Sequence, residues 1–390
     1  MQPNLPNREN CTGCSACYNC CTHDAITMEQ DKEGFLVPII DEQKCKECNL
    51  CVKRCPVLNI PTFPKSEKQI FAAYNLNKVQ HKKSASGGIF SAFGNYFYSK
   101  ENGVVCASSF DSSLKLKFMI STKKEDLEKL RGSKYVQSEV GLIYKEIKHL
   151  LHDNKEVFFI GTPCQVAGLR SYLGREYENL FLIDLVCHGV PSPNLFKDYL
   201  TSIGIDDKYK YENYFFRNQK NSTYYINSVK PHGKKVINIP VNQHSYICAY
   251  LKGWINRESC YNCQFTGDHR QGDCTICDFW GILANKTSFG SSKDMGVSMI
   301  MTNTSKGERI LDKIKNQLYI ESKTYEEALI DNHNLIRPDV RPQERNYIYE
   351  ELKVLSPEEF MIKYQCNIYT PTPLLTRIIN KVKHTINCKR

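Results

Sequence analysis

Hydrophobic and polar positions beyond residue 68 follow two alternating periods. Short apolar or strictly alternating runs predict strands at 70–74, 104–110, 116–120, 157–160 and 180–186. Apolar residues at helical spacing predict helices at 88–100, 124–131, 140–151 and 192–200. Strands that alternate with helices indicate βαβ units. The fold class expected for this part of the chain is therefore an α/β body with a mixed sheet.

The pattern before residue 68 is different. Short apolar stretches at 25–26 and 34–40 predict two strands of a small α+β unit that is rich in cysteine. Prolines and a Lys-Ser-Glu-Lys run then indicate a connecting segment. We therefore predict five regions. They are an N-terminal domain at 1–60, a linker at 61–68, a body in two parts at 69–155 and 156–340, and a C-terminal extension at 341–390.

Composition narrows the functional class. No run of eighteen apolar residues and no secretory pattern are present, so we expect a cytoplasmic protein whose 19 cysteines are reduced thiols. The formal net charge is +10, but bound iron–sulfur clusters would offset part of it. Since no basic stripe interleaved with aromatic residues accompanies this charge, we predict no nucleic-acid partner.

Two cysteine runs carry the clearest chemical signal. Cys11, Cys14, Cys17 and Cys21 follow the spacing C-x2-C-x2-C-x3-C, and Cys45, Cys48, Cys51 and Cys55 repeat it before a proline. In two-cluster bacterial ferredoxins, the fourth cysteine of each run binds the cluster of the other run. The sequence therefore predicts two 4Fe–4S clusters. One is bound by Cys11, Cys14, Cys17 and Cys55, and the other by Cys45, Cys48, Cys51 and Cys21. Cys20 stands beside Cys21 and is the alternative ligand.

Further candidate chemistry lies in the body, which has neither a Rossmann fingerprint nor a P-loop. The polar turns at 82–88 and 131–135 could hold a phosphate, although a plain helix cap is the favoured interpretation of the first. Cys164 and Cys187 follow predicted neighbouring strands, where open α/β sheets place their sites. Four more cysteines form two C-x2-C pairs whose spacing alone also fits a zinc knuckle: Cys260, Cys263, Cys274 and Cys277.

Five separated motifs, in order, resemble the coenzyme F-420 hydrogenase/dehydrogenase beta-subunit family of the bacterial type with an N-terminal double-cluster ferredoxin domain. They are SASGGIFSA (84–92), GSKYVQS (132–138), GTPCQVAGLRSYL (161–173), IDLVCHGVPSP (183–193) and SCYNCQF with DFWGI (259–282). The resemblance implies FAD as cofactor and a flavin-binding role for the mixed-sheet body. It implies that Ser86, Gly87, Gly88, Lys134 and Thr162 lie at the flavin. It also implies a third 4Fe–4S cluster on Cys164, Cys187, Cys260 and Cys263. Cys274 and Cys277 depart from the family pattern and keep the zinc alternative open.

These features predict an oxidoreductase that passes electrons between 4Fe–4S clusters and FAD, with hydride exchange to a deazaflavin (coenzyme F-420) or another organic acceptor. The alternative is a non-catalytic electron-transfer subunit of a larger redox complex. His188 is a candidate proton relay, and Asp278 either orients the flavin or caps a turn. The expected partners are a ferredoxin or a redox-complex subunit, a small-molecule acceptor and a second copy of the chain.

The C-terminal extension carries a separate signal. Apolar residues at helical spacing between 374 and 386, flanked by lysines and arginines, predict a basic amphipathic helix. Such a helix either folds onto the body or contacts an anionic membrane, so a peripheral location at the inner membrane face is an additional expectation. Cys366 and Cys388 have no partners in spacing and are predicted to be ordinary thiols.

Overall fold

A computed structural model describes residues 2–217, 227–290 and 295–366. The N-terminal domain consists of α1 (Ala16–Cys20), β1 (Ile26–Gln30), β2 (Leu36–Ile40) and α2 (Leu50–Lys53). The two strands form an antiparallel hairpin in which Ile26 lies opposite Ile40. Each short helix follows a cysteine loop, because Ser15 and Asn49 adopt left-handed conformations that turn the chain just before the helix. The α+β unit predicted from the sequence is confirmed.

The body begins with elements that alternate as the apolar pattern predicts. Its first half contains β3 (Gln69–Asn75), α3 (Lys78–Lys82), α4 (Ile89–Tyr98), β4 (Gly103–Phe110), β5 (Leu116–Ser121), α5 (Leu127–Leu130), α6 (Ile143–His152), β6 (Glu156–Gly161), α7 (Pro163–Leu173), β7 (Leu180–Leu185) and α8 (Pro193–Ser202). The second half contains β8 (Tyr211–Phe215), β9 (Ser228–Pro231), β10 (Ile237–Asn238), α9 (Ser245–Leu251), α10 (Glu258–Tyr261), β11 (Cys274–Asp278), α11 (Trp280–Leu283), β12 (Ser298–Thr302), α12 (Ser305–Ile314), β13 (Leu318–Lys323), α13 (Tyr325–Leu329), α14 (Ile348–Val354) and α15 (Pro357–Lys363).

One eight-stranded sheet organises the body, with the strand order β13-β3-β12-β11-β7-β6-β4-β5. The central strands β4, β6, β7 and β11 run parallel, whereas the pairs at both flanks are antiparallel. Central strands are covered on both faces, which explains why Val157, Phe158 and Phe159 are consecutive apolar residues and all fully buried. The mixed sheet predicted from the sequence is confirmed.

Helices cover the two faces of this sheet. On one face, Phe93 and Phe97 of α4 pack against Phe158 and Phe181 of the central strands. On the other face, α6 and α7 cover the same strands. The helix α7 begins directly after β6, with Thr162 as its N-cap and Pro163 at its first position, and it ends at Gly174 in a left-handed conformation. It therefore leads from the carboxyl edge of the sheet toward the N-terminal domain.

A second apolar cluster lies beside the sheet. The small sheet β10-β9-β8 packs there with α8, α9, α14 and α15. Cys248 of α9 and Cys366 form a disulfide in this cluster, with their Cα atoms 6.0 Å apart. The prediction that Cys366 is an ordinary thiol is therefore wrong. Local spacing could not reveal the pair, because its two members are 118 residues apart in sequence.

No helix among the described residues is long and apolar enough to cross a membrane. The predicted amphipathic helix at 374–386 and Cys388 lie outside the described residues.

Candidate redox centre

Four cysteines of the N-terminal domain surround a cavity of about 20 Å³: Cys11, Cys14, Cys17 and Cys55. We call this group the inner cage. Gly13 and Ser15 both adopt positive φ angles, so the loop curls and the Gly13 amide points at Cys11 Sγ, 3.4 Å away. Successive turns of this kind form an anion-binding concavity of backbone amides. The loop geometry thus favours thiolates that carry negative charge.

A second cavity of about 20 Å³ repeats the arrangement and is lined by Cys21, Cys45, Cys48 and Cys51. We call this group the outer cage. Glu47 and Asn49 adopt the positive φ angles seen at the corresponding positions of the first loop, and the Glu47 amide lies 3.4 Å from Cys45 Sγ. Cys48 is exposed, whereas every thiol of the inner cage is at least half-buried. The outer cage is therefore the one that faces solvent.

Cys20 and Cys21 occupy different environments. Cys21 lines the outer cage and its Sγ accepts a hydrogen bond from the Ala25 amide at 3.4 Å. The Cys20 thiol lies beside neither cavity and instead donates to the Cys17 carbonyl at 3.4 Å. The geometry thus favours Cys21 as the fourth ligand.

The chemistry of both cages fits a cluster better than a single ion. Thiolates around one zinc ion lie roughly 3.8 Å apart, as tetrahedral Zn–S bonds of about 2.3 Å require. Within the described ranges, no three His, Cys, Asp or Glu side chains are arranged to hold one ion. Burial and neighbouring thiolates raise the pKa of Cys14, Cys17 and Cys51. A cationic iron–sulfur core would offset this mutual repulsion.

A third cysteine group forms in the body where three elements converge. Cys164 lies in the first turn of α7, Cys187 follows β7, and the remaining two lie in and just after α10: Cys260 and Cys263. Cys164 and Cys187 follow the paired strands β6 and β7, and Asn256 Nδ2 donates to the His188 carbonyl at 2.8 Å, which brings the segment of Cys260 and Cys263 beside Cys187. All four thiols therefore lie close together. We call them the body group.

The other C-x2-C pair takes no part in this group. Cys274 and Cys277 lie on β11, and residues three apart on a strand point to opposite faces. Cys274 is fully buried in the core beneath α4, and Cys277 faces the other side of the sheet. The two thiols cannot bind the same ion, which argues against the zinc knuckle.

Helix α7 connects the inner cage to the body group. Cys14 packs on Gly168 of α7 so closely that a Cβ at Gly168 would lie 3.1 Å from Cys14 Cβ. The charge of Cys164 also raises the pKa of Cys14. Arg54 Nη1 donates to the Ser171 carbonyl at 3.0 Å and fixes the second cysteine run on the same helix. The outer cage, inner cage and body group therefore lie in that order from the solvent inward.

A cavity of about 800 Å³ opens at the carboxyl ends of the central strands and shares Cys187 with the body group. Four of the five residues implied as flavin contacts line it: Ser86, Gly88, Lys134 and Thr162. Its walls are mostly apolar, with a few converging polar groups, and its volume lies within the ~300–1,000 Å³ of ligand sites. Size and polarity therefore fit a dinucleotide-sized cofactor.

A largely buried ion pair lines this cavity. Arg217 Nη1 and Nη2 donate to the two carboxylate oxygens of Asp278 at 3.1 and 2.8 Å. The same guanidinium donates to the Ala85 carbonyl at 2.7 Å and to the Tyr135 hydroxyl at 2.9 Å. Asp278 therefore neither caps a turn nor stands free, because its carboxylate holds the arginine that braces the loop before α4.

His188 also lines the cavity, beside Cys187. Burial lowers its pKa, and the nearby charges of Asp339 and Asp278 oppose that effect. Its ring lies edge-on to His333, with 6.3 Å between the ring centroids, and His333 Nε2 lies 2.5 Å from Asp339 Oδ1. The polar groups lead from the cavity toward the surface, since His333 is half exposed.

Comparison with known families agrees with this geometry. The family model for the N-terminal part of the coenzyme F420 hydrogenase/dehydrogenase beta subunit matches residues 70–143, and the model for its C-terminal part matches residues 154–328. A 4Fe–4S dicluster domain matches residues 10–59. The chain belongs to the coenzyme F420 hydrogenase/dehydrogenase beta-subunit family. It is an iron–sulfur redox protein related to oxidoreductases, as the motifs predict.

Relatives of this beta-subunit family member match parts of it. The coenzyme F420-dependent sulfite reductase of Methanocaldococcus jannaschii is 25% identical over 206 residues, which are 52% of this chain and 32% of the relative. One component of the Na⁺-translocating ferredoxin:NAD⁺ oxidoreductase complex of Acetobacterium woodii is 31% identical over 71 residues, which are 18% of this chain and 20% of the relative. The chain thus spans about a third of the length of the first relative and about a fifth of the length of the second.

A solved structure also aligns with this family member. It is a chain in the F420-reducing NiFe hydrogenase complex of Methanosarcina barkeri, aligned over 76% of this chain and 90% of that chain, with a TM-score of 0.43 and 18% identity.

Two cavity features differ from what the family motifs imply. Gly87 lies outside the cavity wall, because its amide donates to Ser298 Oγ at 2.9 Å and a Cβ there would lie 2.4 Å from the Ala73 carbonyl. Its role is to let the loop pack on the sheet. The Lys134 ammonium donates to the carbonyls of Leu130 and Arg131 at 2.9 and 3.0 Å, at the end of α5. It braces the cavity wall instead of extending freely into the cavity.

Sequence reasoning missed Arg217 and Trp280, which both line the cavity. The arginine follows β8, in a region where the motifs give no signal. Trp280 belongs to the DFWG motif, in which the sequence drew attention only to Asp278. The guanidinium carbon lies 5.7 Å from the Trp280 ring centroid, so the two residues form one face of the cavity.

Proposed function

We propose that this protein passes electrons between a one-electron carrier and FAD bound in the large cavity, and that the flavin exchanges hydride with a deazaflavin or another organic acceptor. The carrying observation is the position of Cys187, which belongs to the body group and also lines the cavity. A bound flavin takes up two electrons as a hydride, whereas each cluster passes one at a time. A thiol shared by both sites places the two kinds of step side by side.

The N-terminal domain supports the one-electron branch. The exposed Cys48 edge of the outer cage is the natural docking point for a ferredoxin or a redox-complex subunit. From there the inner cage and then the body group lie in sequence, joined through the contact of Cys14 with α7. We assign the outer-cage, inner-cage and body-group cysteines as ligands of three 4Fe–4S clusters.

The cavity supports the two-electron branch. Ser86 and Gly88 precede the N-terminus of the ten-residue helix α4, where backbone amides favour a phosphate group. The Arg217–Asp278 pair with Tyr135 and Trp280 provides a rigid polar and aromatic wall. We assign these residues to binding and orienting the flavin. His188 is assigned to holding a proton near the acceptor.

Loss of Cys187 tests the proposal directly. The anaerobically purified wild type should contain FAD and about 12 irons, four for each of three cubanes. The C187S variant should contain about eight irons, and reduced ferredoxin should no longer reduce its flavin. Hydride donors such as reduced deazaflavin or NADH, whichever serves the wild type, should still reduce it.

The matched control is C277S, which removes another thiol from the same cavity but not from the body group. It should behave as the wild type does. Absence of flavin from gently purified protein would refute the flavin branch. Stoichiometric zinc with eight irons would refute the third cluster.

A second candidate function is that of a non-catalytic electron-transfer subunit. The exposed outer cage favours it, because that edge suits contact with a larger protein. This candidate predicts the same cofactors but no turnover with any small acceptor until the partner protein is added.

A further inference from the structure

The described part of the chain buries five arginines, and they differ in how their charge is compensated. Three of them form salt bridges with carboxylates: Arg170, Arg217 and Arg345. The other two, Arg257 and Arg270, are 2% and 1% exposed and have no carboxylate partner among the described residues. A buried charge without a counter-charge is costly. Something anionic is therefore expected beside these two residues.

Arg257 lies between the inner cage and the body group. Its Nε donates to the Cys11 carbonyl at 2.7 Å, and its Nη1 donates to Leu36 O at 3.0 Å and to Gln137 Oε1 at 3.1 Å. Its Nη2 is buried and has no acceptor among the described residues. Its carbonyl accepts a hydrogen bond from the Cys260 amide at 2.9 Å, so Arg257 begins the turn that carries Cys260 and leads to Cys263. Two thiols of the body group are thus within its field.

Arg270 approaches the same group from the other side. Its Nη1 and Nη2 donate to the carbonyls of Leu185 and Asn334 at 3.2 and 2.7 Å, which fix its position without neutralising it. Its Nε is also buried without an acceptor among the described residues. Leu185 ends β7 two residues before Cys187, so the guanidinium lies beside the turn that carries this thiol. The two unpaired arginines therefore flank the body group.

We propose that Arg257 and Arg270 are the fixed counter-charges of an anionic iron–sulfur cluster on Cys164, Cys187, Cys260 and Cys263, and that they raise its reduction potential. An oxidised cubane with four thiolates carries a net charge of about −2, which two guanidinium groups balance. Reduction adds one more negative charge, so both arginines favour the reduced state. Electrons that arrive from the N-terminal cages thus collect beside the cavity. This inference rests on the proposed third cluster.

Redox titrations of the intact protein, followed by EPR, test the inference. The outer-cage cluster serves as the internal reference, because Arg257 also bonds to the inner cage, and the signal that C187S loses identifies the body cluster. R257Q and R270Q should each lower, at least threefold, the equilibrium constant for electron transfer from the outer-cage cluster to the body cluster. The double variant should shift it about tenfold, which equals 59 mV for a one-electron couple. R257K and R270K, which keep the charge, should shift it less than twofold.

The matched control is R345Q. Arg345 is also buried and also joins the N-terminal domain to the body, but Glu33 neutralises it. R345Q should change the same equilibrium constant less than twofold. A shift in R257Q no larger than that in R345Q, or a shift toward the body cluster, would overturn the inference.

Iron content separates the remaining outcomes. Glutamine variants that fall from about 12 to about eight irons, while the lysine variants keep about 12, would also support the inference, because charge alone distinguishes them. Loss of the cluster in both kinds of variant would overturn it. A wild type with only about eight irons would refute the third cluster itself, and hence the proposed function, before any arginine is tested.

Discussion

Breaking the Arg217–Asp278 pair should destabilise the body while leaving the N-terminal clusters in place. The side chains are 7% and 12% exposed, and D278N removes the negative charge while keeping nearly the same shape. Breaking a fully buried pair costs roughly 3–5 kcal/mol. Because the pair lines a cavity that water can enter, we expect about 2–3 kcal/mol, at or below the lower end of that range. This free energy corresponds to about a 30- to 150-fold change in the unfolding equilibrium.

Urea unfolding can resolve this effect by region. Both tryptophans, Trp254 and Trp280, belong to the body, so tryptophan emission reports on the body alone. The cluster EPR signals that persist in C187S report on the N-terminal domain, because that variant lacks the proposed body cluster. D278N should lower the midpoint of the emission transition and leave the onset of loss of these N-terminal cluster signals unchanged.

A matched control removes an exposed pair. Lys197 and Asp207 are 69% and 68% exposed, and D207N should change stability by less than about 0.5 kcal/mol. A D278N effect as small as that of D207N would show that the pair does not hold the cavity wall together.

Three further outcomes are expected. C21S should lose about four irons of the outer cage, whereas C20S should keep the full complement; equal losses would refute the assignment of Cys21. Burial and the charge of Arg131 lower the pKa of Lys134 from 10.5 to about 7. Between these two pH values the lysine is therefore neutral in the native state but still protonated in the unfolded state. Wild-type stability should therefore gain a contribution as pH rises from 7 to 10, and K134M should lack that gain in urea midpoints measured across the range. C366S should lower the stability of the oxidised protein by up to about 4–5 kcal/mol, because its disulfide closes a loop of more than 100 residues. Reduction should erase the difference between C366S and the wild type.

The sequence predicted those features whose signal is local. Fixed cysteine spacing indicated both cages, since three ligands of each lie on one tight loop. Apolar periodicity predicted the central strands β4, β6 and β7 and the covering helices α4 and α6, but it did not predict α7. The strands β11, β12 and β13 were not predicted, although Cys274 and Cys277 drew attention to β11 for another reason. In β11 and β12 the alternation of apolar and polar residues that would indicate a strand is weak, because both faces are covered and nearly all residues are buried.

Features that depend on distant contacts could not be predicted. The Cys248–Cys366 disulfide and the Arg217–Asp278 pair join segments 118 and 61 residues apart. The choice between Cys20 and Cys21 depends on which side of α1 faces the cavity, a difference of one residue at the end of a five-residue helix. Burial of Arg257 and Arg270 is likewise invisible in a sequence, since arginine is ordinarily a surface residue.

The pairing of Arg345 with Glu33 has a consequence for biosynthesis. These residues are 312 positions apart, and Arg345 also donates to the Asn256 carbonyl at 2.9 Å. At a ribosomal rate of about 5–20 residues per second, roughly 15–60 s separate the synthesis of the two partners. The cysteine-rich domain therefore emerges long before the last of the segments that fasten it to the body. Cluster insertion into the loops can therefore begin before this contact with the body has formed.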